Sequence, residues 1–79
     1  MRTLYFCSKG SIDPTGASIP LHLAANGSVE VGHDVAIVLG GDGTDLVSRE
    51  IVGGVEGVGL PPARELFAKL RERGVPVYV

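Results

Sequence analysis

The stretch that decides the fold is Val35-Ala-Ile-Val-Leu39, followed at once by Gly40-Gly-Asp-Gly-Thr44. Five apolar residues without alternation are typical of a strand covered on both faces in a parallel sheet, and the glycines end it. Two further apolar runs, residues 3–7 and 75–79, stand near the two ends of the chain. Three strands are therefore predicted.

The clearest helix prediction lies between the second and third strands. Pro61-Pro62 opens it, Gly74 closes it, and Glu65 stands four residues before Lys69 on its exposed side. Its apolar residues recur at helical spacing and form one stripe, namely Ala63, Leu66, Phe67 and Leu70. A second, short helix is predicted from Asp45 to Val52 with Thr44 as its cap, before a glycine-rich connection over residues 53–60.

Residues 13–32 allow two interpretations. Small or apolar residues recur at helical spacing from Ala17 to Val31, and a parallel crossover needs a covering helix. The same segment is also compatible with a β-hairpin, because Asn26-Gly27 is a favoured hairpin turn. We favour the helix, which requires Pro20 to lie in its first turn and accepts Gly27 in its interior.

The alternation of strands and helices along the chain predicts an α/β fold. The length allows no second lobe, so residues 1–79 are expected to form a single domain. The strand order is 1-2-3 or 2-1-3. We expect 2-1-3, a small three-layer parallel sheet with flavodoxin-like winding, whose ligands bind beyond the carboxyl ends of the first and third strands.

Composition narrows the classes of function. The chain is 44% hydrophobic and 20% charged with a formal charge of -2, so it lacks the basic surface that nucleic acid requires. No apolar stretch is long enough for a membrane span. A single cysteine, Cys7, favours a reducing cytoplasm, and no metal-ligand spacing or cofactor motif is found.

With its elements placed, the chain resembles the DsrE family of sulfur-relay subunits, which includes DsrE-, DsrF- and TusD-like proteins and predicted peroxiredoxins. The resemblance spans nearly the whole chain and depends on the order of five segments: Thr3-Leu-Tyr-Phe, Asp13-Pro-Thr-Gly-Ala-Ser-Ile-Pro-Leu-His-Leu-Ala, Gly32-His-Asp-Val-Ala-Ile, Gly41-Asp-Gly and Gly57-Val-Gly-Leu-Pro-Pro. It implies flavodoxin-like winding, assembly into trimers or hexamers, sulfur-relay partners and, in active members, a cysteine that carries persulfide sulfur.

That cysteine follows the strand matched by Val75 to Val79, and this sequence has none there. The chain is thus expected to lack the family's C-terminal part and to be a small oligomeric relative of persulfide carriers without catalytic activity of its own. The alternative is a sulfurtransferase that uses Cys7 or a cysteine beyond Val79.

Several polar residues are candidates for the expected ligand edge. Cys7 ends the first strand, and Lys9 could lower its thiol pKa if the two side chains approach, although a free cysteine is more often a buried apolar residue. Ser8, Lys9 and Ser11 form a polar loop there that could hold an anion. The pair His33-Asp34 opens the second strand at the opposite edge, and His22 has no metal-ligand neighbour, so neither is expected to be functional.

The loop Gly40-Gly-Asp-Gly-Thr44 supplies a second hypothesis, phosphate or nucleotide binding through Gly41, Asp42, Gly43 and Thr44. The sequence Gly40-Gly-Asp-Gly-Thr44 resembles the signature of NAD kinases and diacylglycerol-type lipid kinases. Those enzymes need a second domain, and Asp42 and Asp45 would repel phosphate, so a plain turn remains the alternative.

The connection from Val52 to Leu60 is predicted to expose Val55, Val58 and Leu60 among glycines. An apolar loop of this kind favours a subunit contact, and a small sheet with open edges gains protection from a copy of itself. A homo-oligomer is therefore expected.

Overall fold

The computed structural model describes residues 1–79 and contains one parallel sheet with helices between its strands. The strands are β1 (Arg2–Cys7), β2 (Asp34–Leu39) and β3 (Val77–Tyr78), so the three predicted strands are confirmed, with the third shorter than expected. The helices are α1 (Pro14–Leu23), α2 (Arg49–Gly53) and α3 (Ala63–Glu72). A π-helical turn (Ala24–Ser28) extends α1, and a 3-10 helix (Gly41–Val47) precedes α2.

The strand order is 1-2-3, so the predicted order 2-1-3 is wrong. β2 lies in the centre and pairs in parallel with β1, Leu4 opposite Ala36 and Phe6 opposite Val38, and with β3, Val38 opposite Tyr78. Two right-handed crossovers between successive neighbours place both connecting helices on the same face of a sheet. The molecule therefore has two layers, and the predicted third layer is absent.

The core lies between the sheet and its single helical layer. β2 contributes Val35, Ile37 and Leu39, and the helices contribute most of the other buried apolar side chains. α1 and α3 pack against each other on this face. The alternate side chains of the strands point away from the helices, and Leu4, Phe6 and Tyr78 are exposed there. We call this surface, made of Leu4, Phe6, Ala36, Val38 and Tyr78, the open face.

The segment after β1 is a helix, as predicted, and the hairpin alternative is excluded. Asp13 caps α1 by accepting a hydrogen bond from the Gly16 amide at 3.0 Å, and Pro14 occupies the first helical position. Pro20 therefore lies inside the helix, and the prediction that it stands in the first turn is wrong. Gly27 falls in the π-helical turn, where the Val29 amide bonds to the carbonyl of Ala24.

Helix α3 begins after Pro62 and has the apolar stripe that its spacing predicts. Gly74 ends it in the left-handed conformation, with φ of 72°. The Gly74 amide bonds to the Arg71 carbonyl and the Val75 amide to the Leu70 carbonyl, which is the Schellman pattern. Lys69 forms its ion pair with Glu30 and none with Glu65.

The short helix before α3 begins later than predicted. Ser48, and not Thr44, is its cap, because the Ser48 hydroxyl accepts from the Ile51 amide at 3.4 Å. Thr44 lies within the 3-10 helix, where its hydroxyl donates to the Gly41 carbonyl. No helix of the structure combines the length and the hydropathy that crossing a bilayer requires.

Candidate functional site

The carboxyl edge of the sheet brings two of the predicted segments together. The loop after β1 (residues 8–13) packs against the 3-10 helix that follows β2, and glycines permit the contact. A Cβ on Gly43 would collide with the Cys7 carbonyl oxygen, and one on Gly10 would collide with the Asp42 carbonyl oxygen. Only glycine allows backbones to approach so closely.

Asp45 holds these two segments together. Its carboxylate accepts hydrogen bonds from the Ser11 amide, at 3.2 Å to each oxygen, and from the Ser11 hydroxyl at 2.6 Å. Ser11 therefore gives its donors to a carboxylate of the same chain. Ser8 and Lys9 are exposed, and Lys9 forms no ion pair in the structure.

Cys7 is buried at the end of β1, with 1% of its surface exposed. Its Sγ lies 3.3 Å from the Lys9 carbonyl oxygen and 3.6 Å from the Ala17 carbonyl oxygen, so either carbonyl can accept the single thiol proton. Burial raises the pKa of the Cys7 thiol; the Lys9 backbone hydrogen bond opposes this, and the negative charge of Asp45 adds to it. The expected lowering of this pKa by the Lys9 side chain is therefore wrong.

In the glycine loop of the phosphate hypothesis, two backbone amides donate hydrogen bonds within the chain. The Gly40 amide donates to the Cys7 carbonyl and the Gly43 amide to the Gly40 carbonyl, so these amides are not free for an anion. Gly43 is buried, while Asp42 and Thr44 are exposed beside it. Gly41, with φ of 53°, turns the chain into the 3-10 helix. The loop is a packed turn beside the carboxylates of Asp42 and Asp45. Whether it binds phosphate or a nucleotide stays a prediction.

The predicted contact loop is divided between interior and surface. Val55 is 1% exposed, so the prediction that it is exposed is wrong. The Ala63 amide donates to the Val55 carbonyl at 3.0 Å, which draws this residue beneath the start of α3. Val58 is 86% exposed and Leu60 is partly exposed. Whether these two residues contact another subunit stays a prediction.

Both histidines lie away from the carboxyl edge. The Thr3 hydroxyl and His33 Nδ1 are 3.4 Å apart near the amino end of the sheet, and His22 Nδ1 is 3.1 Å from the Asn26 side-chain amide. The structure brings together no group of three or more His, Cys, Asp or Glu residues that could hold a metal ion. The absence of a metal from the functional protein stays a prediction.

Two apolar surfaces are more prominent than any of the predicted polar sites. The first is the open face, where Leu4, Phe6 and Tyr78 are 65%, 61% and 58% exposed. The second is a groove of about 420 Å³ on the helical side of β3, which we call the edge groove. Eight of its ten lining residues are hydrophobic. The lining residues are Leu39, Leu46, Val47, Arg49, Val52, Phe67, Arg71, Val75, Val77 and Val79.

Sequence reasoning missed both surfaces. The alternation of exposed and covered residues along β1 is hidden in an apolar run, and only the strand order shows which face stays open. Arg49 and Arg71 belong to no recognisable sequence motif. Only the fold places them along the same groove. No family model, curated protein or solved structure matches this chain.

Proposed function

We propose that these 79 residues form a small, self-associating and non-catalytic subunit of the DsrE-like, sulfur-relay type, in a reducing cytoplasm. The observation that carries the proposal is the open face, an apolar sheet surface that a subunit would cover. The DsrE-like assignment is supported by the order of the sequence segments described above. The non-catalytic role is supported by Cys7, whose thiol is enclosed by the loop after β1 and by α1.

The occupant of the open face is a second copy of the chain. At ~150–250 Å² for a fully covered aromatic side chain, Phe6 and Leu4, with the side of Tyr78 that faces the partner's Phe6, together offer roughly 300 Å² per copy. With the flanking residues of the face, a stacked pair reaches about 1,000 Å² in total, the lower bound for a specific interface. A dimer of this size is weak, so its population should depend on protein concentration.

Charge and side-chain size favour a two-fold arrangement with its axis along the strands, between β1 and β2. Arg2 and Asp34 are register partners at the amino end of the same face, and they form no ion pair within the chain. This axis sets Arg2 of each copy over the partner's Asp34. It also sets Phe6 over the partner's Val38, so that large side chains meet smaller ones.

Sedimentation velocity between micromolar and millimolar concentration tests the association. Phe6→Glu should abolish it, because a carboxylate would then be buried between the two sheets. The matched control is Val58→Glu, which places the same charge on an apolar residue of the predicted contact loop. A monomer at every concentration overturns the proposal, as does dissociation by Val58→Glu with Phe6→Glu unchanged. A trimer would contradict the two-fold pairing.

A charge exchange tests the axis. Arg2→Glu and Asp34→Arg should each weaken the dimer, since each places like charges opposite one another across the interface. The double variant should restore the affinity to within a few fold of the original chain. Additive weakening in the double variant would contradict this arrangement of the two sheets.

Exposure to a cysteine desulfurase with cysteine tests the non-catalytic role. We expect no gain of a sulfur atom in the intact mass of the folded chain, because the Cys7 thiol is enclosed and its pKa is raised. The same protein unfolded in urea is the control and should react with a thiol reagent. A persulfide on the folded chain that Cys7→Ala removes would instead support the sulfurtransferase alternative.

A further inference from the structure

The edge groove lies on the opposite side of the sheet from the open face, so it stays accessible whether or not two copies associate. Val77 and Val79 line it from β3 and the residue after it, while Tyr78 belongs to the open face. Phe67 closes it from α3 and Val52 from α2. Its volume of about 420 Å³ falls within the range of small-molecule sites, which is about 300–1,000 Å³.

The only charged side chains in the lining are those of two arginines. Arg49 comes from the first position of α2 and Arg71 from the last turn of α3, and both are exposed. Neither forms a salt bridge in the structure, whereas Arg64, Lys69 and Arg73 each have a glutamate partner. No side-chain carboxylate lines the groove. An apolar trough with two unpaired guanidinium groups is thus complementary to a molecule with an apolar body and an anionic end.

We propose that the edge groove binds a monomeric carboxylate with an unbranched apolar chain, such as a medium-chain fatty acid anion. The chain lies against Val52, Phe67 and Val77, and its methylene groups leave water there. The carboxylate is held by Arg49 and Arg71, because a guanidinium matches the two oxygens of a carboxylate with two parallel N–H donors.

Titration of the nitrogen-15-labelled chain with sodium decanoate, below its micelle concentration, tests the proposal. Shifts of the backbone amides of Val52, Phe67 and Val77 should saturate together. Affinity should rise about fourfold for each methylene added from hexanoate to decanoate, since each buried CH₂ contributes a constant increment. Decan-1-ol and decylammonium test the head group and should bind at least about tenfold more weakly, because hydrogen bonds to a charged group are lost.

Arginine variants separate the head-group contact from the apolar contact. Arg49→Gln and Arg71→Gln should each weaken decanoate binding several-fold, and the double variant should bind decanoate no better than decan-1-ol. Arg64→Gln is the matched control, because Arg64 lies on the same helix α3 but outside the groove. Val47→Asp adds a negative charge to the lining and should also weaken decanoate binding.

The outcomes are distinct from those of the association tests. No saturable shift with decanoate overturns the proposal, as does equal binding of decanoate and decan-1-ol by the unchanged protein. Equal weakening by Arg64→Gln and Arg71→Gln would show a general effect of net charge and would overturn the assigned head-group contact. A dispersed amide spectrum establishes for each variant that the fold is retained.

Discussion

The two faces of the sheet are built from similar residues and have opposite surroundings. On the helical face, Val35, Ile37 and Leu39 are between 0% and 8% exposed; on the open face, Leu4, Phe6 and Tyr78 are between 58% and 65% exposed. Both sets are apolar, so residue type does not decide which face is covered. The strand order decides it, because successive right-handed crossovers deliver their helices to one side.

The largest expected difference is between matched truncations on the two faces. Ile37→Ala should lower the free energy of unfolding by about 2–5 kcal/mol, because it leaves a cavity in the central strand beneath the helices. Leu4→Ala should lower it by only about 0.5 kcal/mol in the dilute monomer, because most of that side chain is already in water.

Urea denaturation followed by circular dichroism at low micromolar concentration measures both values. Repeating it at a concentration where two copies associate should enlarge the loss for Leu4→Ala and leave that for Ile37→Ala nearly unchanged. Equal losses in the dilute protein would contradict the open face as described.

Two glycines give a second, smaller contrast. Gly43 lies in the crowded contact between the loops after β1 and β2, whereas Gly27 lies in the π-helical turn with open space beside it. Gly43→Ala should destabilise the chain by about 1–3 kcal/mol, because the new methyl group meets the Cys7 carbonyl and the two loops must separate. Gly27→Ala should stabilise it by about 0.5–1 kcal/mol, since no atom lies within 4 Å of the added Cβ and alanine favours helix.

Thermal unfolding of the two variants beside the unchanged chain measures this contrast. A Gly43→Ala variant as stable as the original would show that the loops after β1 and β2 are not in close contact. The packed turn described for residues 40–44 would then be wrong.

Much of the local structure was predictable because it depends on short-range signals. The apolar stripe of α3 and its terminal Gly74 specify a helix and its end, and three apolar runs specify three strands. The dipeptide Asp13-Pro14 is also typical of a helix start, because aspartate is a good N-cap residue and proline is favoured at the first helical position. A helix that starts at Asp13-Pro14 has Pro20 in its interior, as the structure shows.

The strand order could not be predicted because both orders satisfy the same local patterns. An apolar run such as Leu4-Tyr-Phe is compatible with a strand covered on one face or on both. The alternation between exposed and buried side chains becomes visible only in the structure. The burial of Val55 depends on a hydrogen bond to the start of α3, and the bond between Asp45 and Ser11 joins residues 34 positions apart. Contacts between residues so far apart in the chain cannot be predicted from short segments of sequence.

The smallest expected effect is electrostatic and lies on the outer surface of the helical layer. Glu30 forms ion pairs with Lys69 and Arg73, and the Lys69 hydrogen bond and the two positive charges lower the pKa of its carboxyl below the ordinary value of 4.5. A group whose folded pKa is lowered stabilises the fold fully above its unfolded pKa and loses that contribution as the pH falls through the folded value.

Glu30→Gln should therefore lower the melting temperature slightly at neutral pH, and the difference from the unchanged chain should shrink as the pH falls below about 4.5. Glu65→Gln is the control, because Glu65 lies on α3 and forms no ion pair. The effect is small because Glu30 is exposed and water and salt screen its partners. A difference for Glu30→Gln that persists at pH 3, or that survives unchanged in 1 M salt, would show that the carboxylate charge is not its cause.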